Sequence, residues 1–234
     1  MQLPIYVSDD NTFYPSISSR RYHILSREAE SNKKLFTIRK IALSVIKKYP
    51  QIIGIIKRLR PNGVTFCAGS ASFGRGTTVN SMREIIVPIA NASDISQKEA
   101  YRYLTSIKDF IPEEVNEYID TELEDYYIFP EQPLPERRRR TKKSMGWTTL
   151  HELKHIEQID KEESPDRFTH NYQQTLRKAR VDNWENLKQG ALESHFNPYE
   201  TEAQQFAYQE TKKIDKKKKK NVNKLFGTWI GEYD

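Results

Sequence analysis

A short stretch past the middle of the chain constrains both its local structure and its chemistry. Residues 151–155 read His-Glu-Leu-Lys-His, so two histidines stand four positions apart around a glutamate. The surrounding pattern predicts a helix over residues 147–159, capped at its start by Thr148 or Thr149. Residues four apart lie on one face of a helix, so both imidazoles can reach one metal ion. The apolar residues of this helix recur every three positions and mark a face packed on the core: Leu150, Leu153, Ile156 and Ile159.

A second segment offers a carboxylate for the same ion. Residues 197–207 begin with Asn-Pro, which is a turn signal, and continue as a helix that carries Glu200 and Glu202. A structural zinc site usually has four protein ligands, whereas a catalytic site has three and leaves the fourth position to water. Two histidines therefore need one more ligand. Glu200 and Glu202 point in different directions on a helix, so only one of them can supply it.

The two segments together resemble the gluzincin zinc metallopeptidases. In those enzymes, H-E-x-x-H is followed some tens of residues later by a helix that reads E-x-E-A-x-x-x-A. The pattern is also similar to the E-x-x-A-D signature of the CAAX-prenyl-protease type and to small soluble zincin-like families that carry N-P-x-E-x-E-A. The resemblance spans about residues 147–210. It implies that His151, His155 and Glu200 bind Zn²⁺.

The choice of third ligand stays open at this point. Glu202 is the second candidate, and His170 or His195 is the third, as in the SprT-like proteases, where a downstream histidine completes the site. A metzincin would need glycine at position 158 and histidine at position 161. The chain has Gln158 and Lys161 there, so that class is excluded.

The chain also departs from the family pattern at three positions. Gln204 stands where an aspartate often orients a histidine ligand, although an amide oxygen can still accept an imidazole N–H. Lys154 and Glu157 carry charges where many zincins have uncharged residues, and we expect both to face solvent or a cleft wall. Ala203 matches the small residue that allows close helix packing.

The resemblance implies a hydrolase that cleaves peptide bonds in a peptide or protein substrate. Zinc lowers the pKa of a bound water molecule and polarises the substrate carbonyl. Glu152 is then the general base, which takes a proton from the water and passes it to the leaving amine. A second stabiliser of the oxyanion is also needed, and Tyr199, His195 and Tyr208 are the candidates by their position in the sequence.

The sequence predicts an α+β fold, mainly helical and zincin-like, with a small antiparallel or mixed sheet. An apolar stripe predicts a helix over residues 28–49, ended by Pro50. Residues 64–69 and 83–89 read as strands, and the proline in the second one indicates an edge strand. In a zincin-like fold that edge strand is the rim of the cleft, where an extended peptide can pair with it.

The length of the chain, 234 residues, suits one compact domain. Within it we distinguish an N-terminal helical part, residues 1–60, from a zincin-like catalytic part, residues 61–234. Residues 130–143 are interpreted as a proline-rich and basic linker, and residues 212–220 as a basic tract.

Basic residues are concentrated in two tracts, at residues 137–143 and 212–220. The tracts hold thirteen of the 38 lysines and arginines, so the rest of the chain has fewer basic than acidic residues. Such tracts can contact nucleic acid or an acidic partner, or remain as solvated charge runs. The alternative function is therefore a nucleic-acid- or partner-binding protein with a degenerate zincin-like domain.

The cellular location is predicted from what the sequence lacks. A single cysteine, Cys67, excludes an internal disulfide. The chain has no apolar run long enough to span a membrane, and its N-terminus has neither the basic start nor the apolar core of a signal peptide. We therefore expect a cytoplasmic protein.

Overall fold

The computed structural model describes residues 2–9, 21–71, 77–79, 83–91, 140–182 and 197–213. These residues form a mainly helical α+β fold with a small mixed sheet, which confirms the predicted fold class. The strands are β1 (Ile5–Ser8), β2 (Tyr22–His23), β3 (Gly63–Ala71), β4 (Thr77–Val79) and β5 (Glu84–Asn91). The helices are α1 (Arg27–Ser31), α2 (Lys33–Lys48), α3 (Gln51–Leu59), α4 (Lys142–Lys161), α5 (Pro165–Asp182) and α6 (Pro198–Lys212).

The sheet is parallel at its centre and antiparallel at both sides. Its strand order is β2-β1-β3-β5-β4. Strands β1, β3 and β5 run parallel, whereas β2 and β4 are antiparallel to their neighbours. The connection from β1 to β3 passes through α1, α2 and α3, because parallel strands need a long crossover.

The strand predicted at residues 83–89 is present as β5, but its predicted place at the sheet edge is wrong. Strand β5 lies between β3 and β4. Its proline is tolerated for two reasons. Strand β4 pairs only with residues 84–86, and the ladder to β3 becomes irregular just beyond Cys67, the partner of Pro88. The three-residue strand β4 is therefore the edge of the described sheet on this side.

The helix predicted over residues 28–49 is divided into α1 and α2 at Asn32. The side-chain oxygen of Asn32 accepts hydrogen bonds from the backbone N–H groups of Lys34 (2.9 Å) and Leu35 (3.2 Å), which caps α2. Helix α2 ends before Pro50, which is the N-cap of α3. The apolar stripe of α2 is buried as predicted: Leu35, Ile38, Ile41, Ala42, Val45 and Ile46.

Helix α4 lies at the centre of the packing, because α2, α3, α5, α6, β4 and β5 all contact it. It begins earlier than predicted, and its N-cap is Thr141 rather than Thr148 or Thr149. The hydroxyl oxygen of Thr141 accepts a hydrogen bond from the N–H of Ser144 (3.1 Å). The apolar spacing could not reveal this first turn, because residues 142–146 read Lys-Lys-Ser-Met-Gly and have no apolar stripe.

Arg140, just before α4, is buried and joins the helix to the sheet. Its guanidinium donates hydrogen bonds to the hydroxyls of Ser144 (2.8 Å) and Thr148 (2.6 Å) and to the carbonyl of Pro88 (3.0 Å). Its backbone N–H donates to the carbonyl of Ile89 (2.9 Å). The end of the segment interpreted as a linker is thus part of the folded core.

One core joins the first 60 residues to the later ones. Buried apolar side chains of β1, α2 and α3 pack with those of β3, β5, α4, α5 and α6. The first 60 residues supply two strands of the sheet as well as three helices. Among the described helices, none is both long enough and apolar enough to cross a membrane.

Candidate metal centre

The two histidines of α4 face each other across one turn of the helix. The Nε2 atoms of His151 and His155 are 3.2 Å apart, and the rings meet edge to face. Only 8% of His151 and 6% of His155 is exposed. Leu150, Leu153 and Ile156 pack in the core, and the neighbouring positions of α4 are buried as well, so packing around the helix fixes the direction of both imidazoles.

Helix α6 brings one carboxylate to this pair. Asn197 caps the helix with its side chain, and Pro198 is the first helical residue. This start places Glu200 in the first turn. Its Oε2 is 3.1 Å from Nε2 of His151, and its Oε1 is 3.4 Å from Nε2 of His155.

The packing of α6 on α4 makes this approach possible. Two of the three buried residues of α6 are Ala203 and Ala207, whose small side chains let the helices come close. One ligand atom from each of His151, His155 and Glu200 lies within 4.8 Å of the others. These three residues can therefore hold a metal ion. Two imidazoles and one carboxylate make a set of three protein ligands, which leaves a coordination position for water.

The electrostatics of the cluster favour a positive charge beside its carboxylates. Burial raises the pKa of Glu200, but the charge of His155 and hydrogen bonds from both histidines bring it well below its ordinary value. Burial lowers the pKa of His155, but the carboxylates of Glu200 and Glu152 raise it to about 9. The cluster thus stabilises a buried cation, and a divalent metal ion satisfies the same requirement.

Glu152 is buried beside the cluster and is held by the edge strand. The Oγ1 atom of Thr78, on β4, is 2.7 Å from Oε2 of Glu152 and 3.2 Å from its backbone carbonyl oxygen. The threonine hydroxyl is the donor, because an ionised carboxylate can only accept. No sequence pattern indicates Thr78, because β4 has three residues and is too short for its periodicity to be recognised.

Two aromatic side chains contact the ligands. The hydroxyl of Tyr172, on α5, donates a hydrogen bond to Oε1 of Glu200 (2.7 Å). The indole of Trp147 stacks on the ring of His151, with the centroids 5.0 Å apart. Trp147 stands one helical turn before His151, so the spacing alone indicates this contact. Tyr172 has no such signal, because its contact depends on how α5 packs.

The second ring nitrogen of His155 is bound to Gln158. Nδ1 of His155 is 2.7 Å from Oε1 of Gln158, which is one turn further along α4. The sequence interpretation assigned the role of imidazole acceptor to Gln204, but for His155 it is Gln158 that fills it. The corresponding Nδ1 of His151 is buried and has no hydrogen-bond partner among the described residues.

Glu202 is engaged with a different set of partners from Glu200. Its carboxylate accepts a hydrogen bond from Nε2 of Gln158 (2.8 Å) and pairs with Lys154 (2.9 Å) and Lys161 (3.2 Å). Burial raises the pKa of Glu202, but hydrogen bonds from these three partners bring it down to about 2. Lys154 does not face solvent, because the residue is only 6% exposed, and its charge is paired with the partly exposed carboxylate of Glu202.

The two tyrosines proposed as oxyanion stabilisers have other contacts. The hydroxyl of Tyr199 donates a hydrogen bond to Oε1 of Glu162 (2.7 Å), and burial together with Glu162 raises the pKa of Tyr199 to about 12. The ring of Tyr208 lies 4.3 Å from Nζ of Lys212. The hydroxyl of Tyr199 is therefore directed to Glu162 and not to the clustered histidines and Glu200.

The remaining histidines do not enter the described cluster. His170 is exposed on α5, and its Nε2 is 2.9 Å from the amide of Gln174. His195 lies outside the described residues. Within the described part of the chain, Glu200 is therefore the residue that joins the histidine pair.

The described residues of the two basic tracts are partly used within the fold. Arg140 is buried, as described above, and Lys142 and Lys143 lie in the first turn of α4. Lys213 pairs with Glu210 (2.6 Å) at the end of α6. Residues 137–139 and 214–220 lie outside the described part, so contact with nucleic acid or an acidic partner stays a prediction.

Comparison of the chain with protein-family models, with curated proteins and with solved structures gives no match in any of the three.

Proposed function

We propose that this protein is a zinc-dependent metallopeptidase of the gluzincin type, which hydrolyses peptide bonds in a peptide or protein substrate. One observation carries the proposal. His151, His155 and Glu200 bring their ligand atoms within 4.8 Å of one another, and Glu152 is buried beside them. Metalloproteases use H-E-x-x-H on a helix in this way, with two histidine ligands and the glutamate as general base.

We assign zinc to these residues because H-E-x-x-H on a helix is a zinc-binding pattern. Two imidazoles and one carboxylate are a usual ligand set for catalytic zinc, whereas calcium and magnesium prefer oxygen ligands throughout. The only cysteine, Cys67, is buried in β3 and is not among the clustered ligands. When bound, zinc supplies the Lewis acidity that polarises a carbonyl group and activates water at neutral pH.

Glu152 is the general base in this proposal. Its carboxylate takes a proton from the attacking water and delivers that proton to the nitrogen of the leaving amine, which returns Glu152 to its ionised form. The hydrogen bond from Thr78 (2.7 Å) restrains Oε2 of Glu152. Its Oε1 is therefore the atom that we assign to the proton transfer.

Tyr172 orients the third ligand. Its hydroxyl donates to Oε1 of Glu200 (2.7 Å), while Oε2 is the oxygen nearer to His151 (3.1 Å). A carboxylate held at one oxygen cannot rotate freely, so Tyr172 would keep the Glu200 carboxylate directed at the two histidines, to which it presents both oxygens.

The edge strand β4 suits an extended peptide substrate. It is the outermost strand of the described sheet on this side, and Thr78 places it against Glu152. The backbone groups of a sheet edge can pair with an extended chain, which would lie alongside the general base. We therefore assign the role of cleft rim, which the sequence pattern gives to residues 83–89, to strand β4.

The competing proposal is a nucleic-acid- or partner-binding protein whose metal site is degenerate and whose basic tracts carry the function. It predicts a protein that binds polyanions in a salt-dependent way and holds no metal. The burial of Arg140 removes one of the basic side chains from such a surface. Metal content distinguishes the two proposals directly.

The test is to measure metal content and hydrolysis on the same preparations. We expect about one zinc ion per chain and cleavage of a mixed-sequence fluorogenic peptide library. His155→Ala should lose the zinc, because one of its three protein ligands is removed. His170→Ala is the matched control, because it removes an exposed histidine from outside the cluster and should keep both zinc and activity.

A second variant separates metal binding from chemistry. Glu152→Gln keeps the shape of the side chain and all three ligands, so it should retain zinc. Its hydrolysis should fall by about a hundredfold to ten-thousandfold, because the amide cannot accept the proton. A zinc-loaded Glu152→Gln protein that cleaves the library at the wild-type rate, or a wild-type protein that binds no zinc, would overturn the proposal.

A further inference from the structure

We infer that Gln158 and Glu202 are positioning residues that select the tautomer of His155, so that Nε2 is the ring nitrogen presented to the metal. The inference rests on the proposed function because it concerns the same zinc site. It assigns a role to two residues that are not metal ligands.

The first step is the orientation of the Gln158 side-chain amide. Its Nε2 lies 2.9 Å from the backbone carbonyl oxygen of Tyr199 and 2.8 Å from Oε2 of Glu202. A carbonyl and a carboxylate can only accept hydrogen bonds. An amide turned the other way would put its oxygen against both acceptors and lose two hydrogen bonds. The amide nitrogen of Gln158 must therefore face Tyr199 and Glu202.

The second step follows from the first. With its nitrogen so placed, Gln158 turns its Oε1 toward Nδ1 of His155, at 2.7 Å. An amide oxygen can only accept, so Nδ1 of His155 carries the hydrogen. The neutral imidazole then has its lone pair on Nε2. That atom lies 3.2 Å from Nε2 of His151 and 3.4 Å from Oε1 of Glu200, at the centre of the proposed site.

Lys154, one of the charged residues that depart from the family pattern, acts on the same hydrogen bonds. Glu202 is fixed between Lys154 (2.9 Å) and Lys161 (3.2 Å), and Lys154 is buried. The two lysines keep Glu202 ionised, and an ionised carboxylate can only accept a hydrogen bond from the amide of Gln158. Lys154 thus supports the hydrogen-bond chain that ends at His155. His151 lacks the equivalent contact, since its Nδ1 has no hydrogen-bond partner among the described residues.

The experiment measures zinc affinity by competition with a chelator in four proteins: wild type, Gln158→Met, Glu202→Gln and the double variant. Gln158→Met removes both hydrogen-bonding groups at similar length and should weaken zinc binding about tenfold to a hundredfold. Glu202→Gln introduces an amide that can donate, so only the carbonyl of Tyr199 still opposes the reversed orientation of Gln158, and binding should weaken several-fold. The double variant should bind no more weakly than Gln158→Met, because Glu202 acts through Gln158.

Two further measurements separate this role from a general structural one. In the zinc-loaded wild type, nitrogen-15 NMR should show His155 with zinc on Nε2 and a slowly exchanging hydrogen on Nδ1. That hydrogen should exchange faster in both single variants. Glu163→Gln removes the same charge at an exposed residue outside the chain of hydrogen bonds and should leave both signals and affinity unchanged.

Clear outcomes contradict the inference. Zinc on Nδ1 of His155, unchanged affinity in Glu202→Gln, or losses that add in the double variant would each overturn it. Glu202 is partly exposed, so its variant decides the question even where Gln158→Met fails to fold. A wild type that binds zinc as described but cleaves no peptide refutes the proposed function alone. A wild type without zinc affinity refutes both.

Discussion

Thr78 places a neutral hydroxyl against the carboxylate that we assign as the general base. The hydrogen bond to Glu152 is short (2.7 Å) and comes from the edge strand, not from the helix that carries the ligands. Such a restraint helps a general base, because a small displacement of a reacting group lowers the reaction rate strongly. In the proposed function, strand β4 therefore has two roles, since Thr78 restrains the general base and the edge of the strand can pair with a substrate.

This contact makes a prediction at the level of one residue. Thr78→Val removes the hydroxyl at nearly constant volume, and we expect peptide turnover to fall by about tenfold, which corresponds to one hydrogen bond to a charged group. Zinc content should not change, because Thr78 is not a ligand. Thr78→Ser keeps the hydroxyl and should recover most of the rate. Equal turnover in Thr78→Val and wild type would show that the contact does not matter for catalysis.

Local spacing predicts the histidine pair of α4 and its neighbours along the same helix, but not the contacts that other elements make. His151 and His155 need only a helix to share a face, whereas Glu200 joins them only because α6 packs on α4, and it was indicated by the family resemblance. Thr78, Tyr172 and the pairing of Lys154 depend on elements that meet through tertiary packing. The periodicity and spacing of a single sequence do not show which elements contact each other in the fold.

At the level of elements, α4 is packed so closely that one position on it must be glycine. A Cβ at Gly146 would overlap the Cδ2 and Cε2 atoms of Tyr49, whose ring is buried at the end of α2. Gly54, near the middle of α3, is exposed and has no atom within 4 Å of the same position. The two helical glycines therefore differ only in their surroundings.

This pair of glycines provides a matched test of the packing. Gly146→Ala should lower the free energy of unfolding by about 1–3 kcal/mol, because the overlap outweighs the higher helix propensity of alanine. Gly54→Ala should raise it by about 0.5–1 kcal/mol, because propensity acts there alone. Urea denaturation of both variants gives these values. A Gly146→Ala protein as stable as wild type would contradict the close approach of α2 and α4.

Elements with a long apolar pattern were predictable, and short or pairing-dependent features were not. The stripe of α2 and the apolar face of α4 stand out because burial imposes a regular spacing over several turns. Pro88 is the sequence feature that indicates an edge position for residues 83–89. Whether a strand lies at an edge depends on its neighbours, and the neighbour β4 has only three residues, which are too few for a recognisable pattern.

For the whole molecule, the core that joins N-terminal and C-terminal segments includes the ionisable side chain of Tyr49. Tyr49 is 1% exposed, and burial raises its pKa to about 12. A tyrosine in an unfolded chain ionises near pH 10. Tyr49 therefore gives its full contribution to stability below about pH 10 and loses it progressively as the pH rises toward 12.

We expect this ionisation to appear as alkaline instability of the entire fold. The free energy of unfolding of the wild type should fall more steeply between about pH 10 and pH 12 than that of Tyr49→Phe, which keeps the ring but cannot ionise. Denaturation curves at intervals of pH provide the comparison. The other twelve of the 13 tyrosines are common to both proteins, so their effects cancel in the difference. Parallel pH profiles would show that Tyr49 does not ionise at a raised pKa.

The three proposed ligands come from two helices that are separated along the chain by α5. An ion held by them would act as a cross-link that forms only when α4 and α6 are both in their native places. The free energy of metal binding would then add to the free energy of unfolding. The supply of zinc to the cell would thereby govern how many copies of this chain reach and keep their native state, in addition to how many can react.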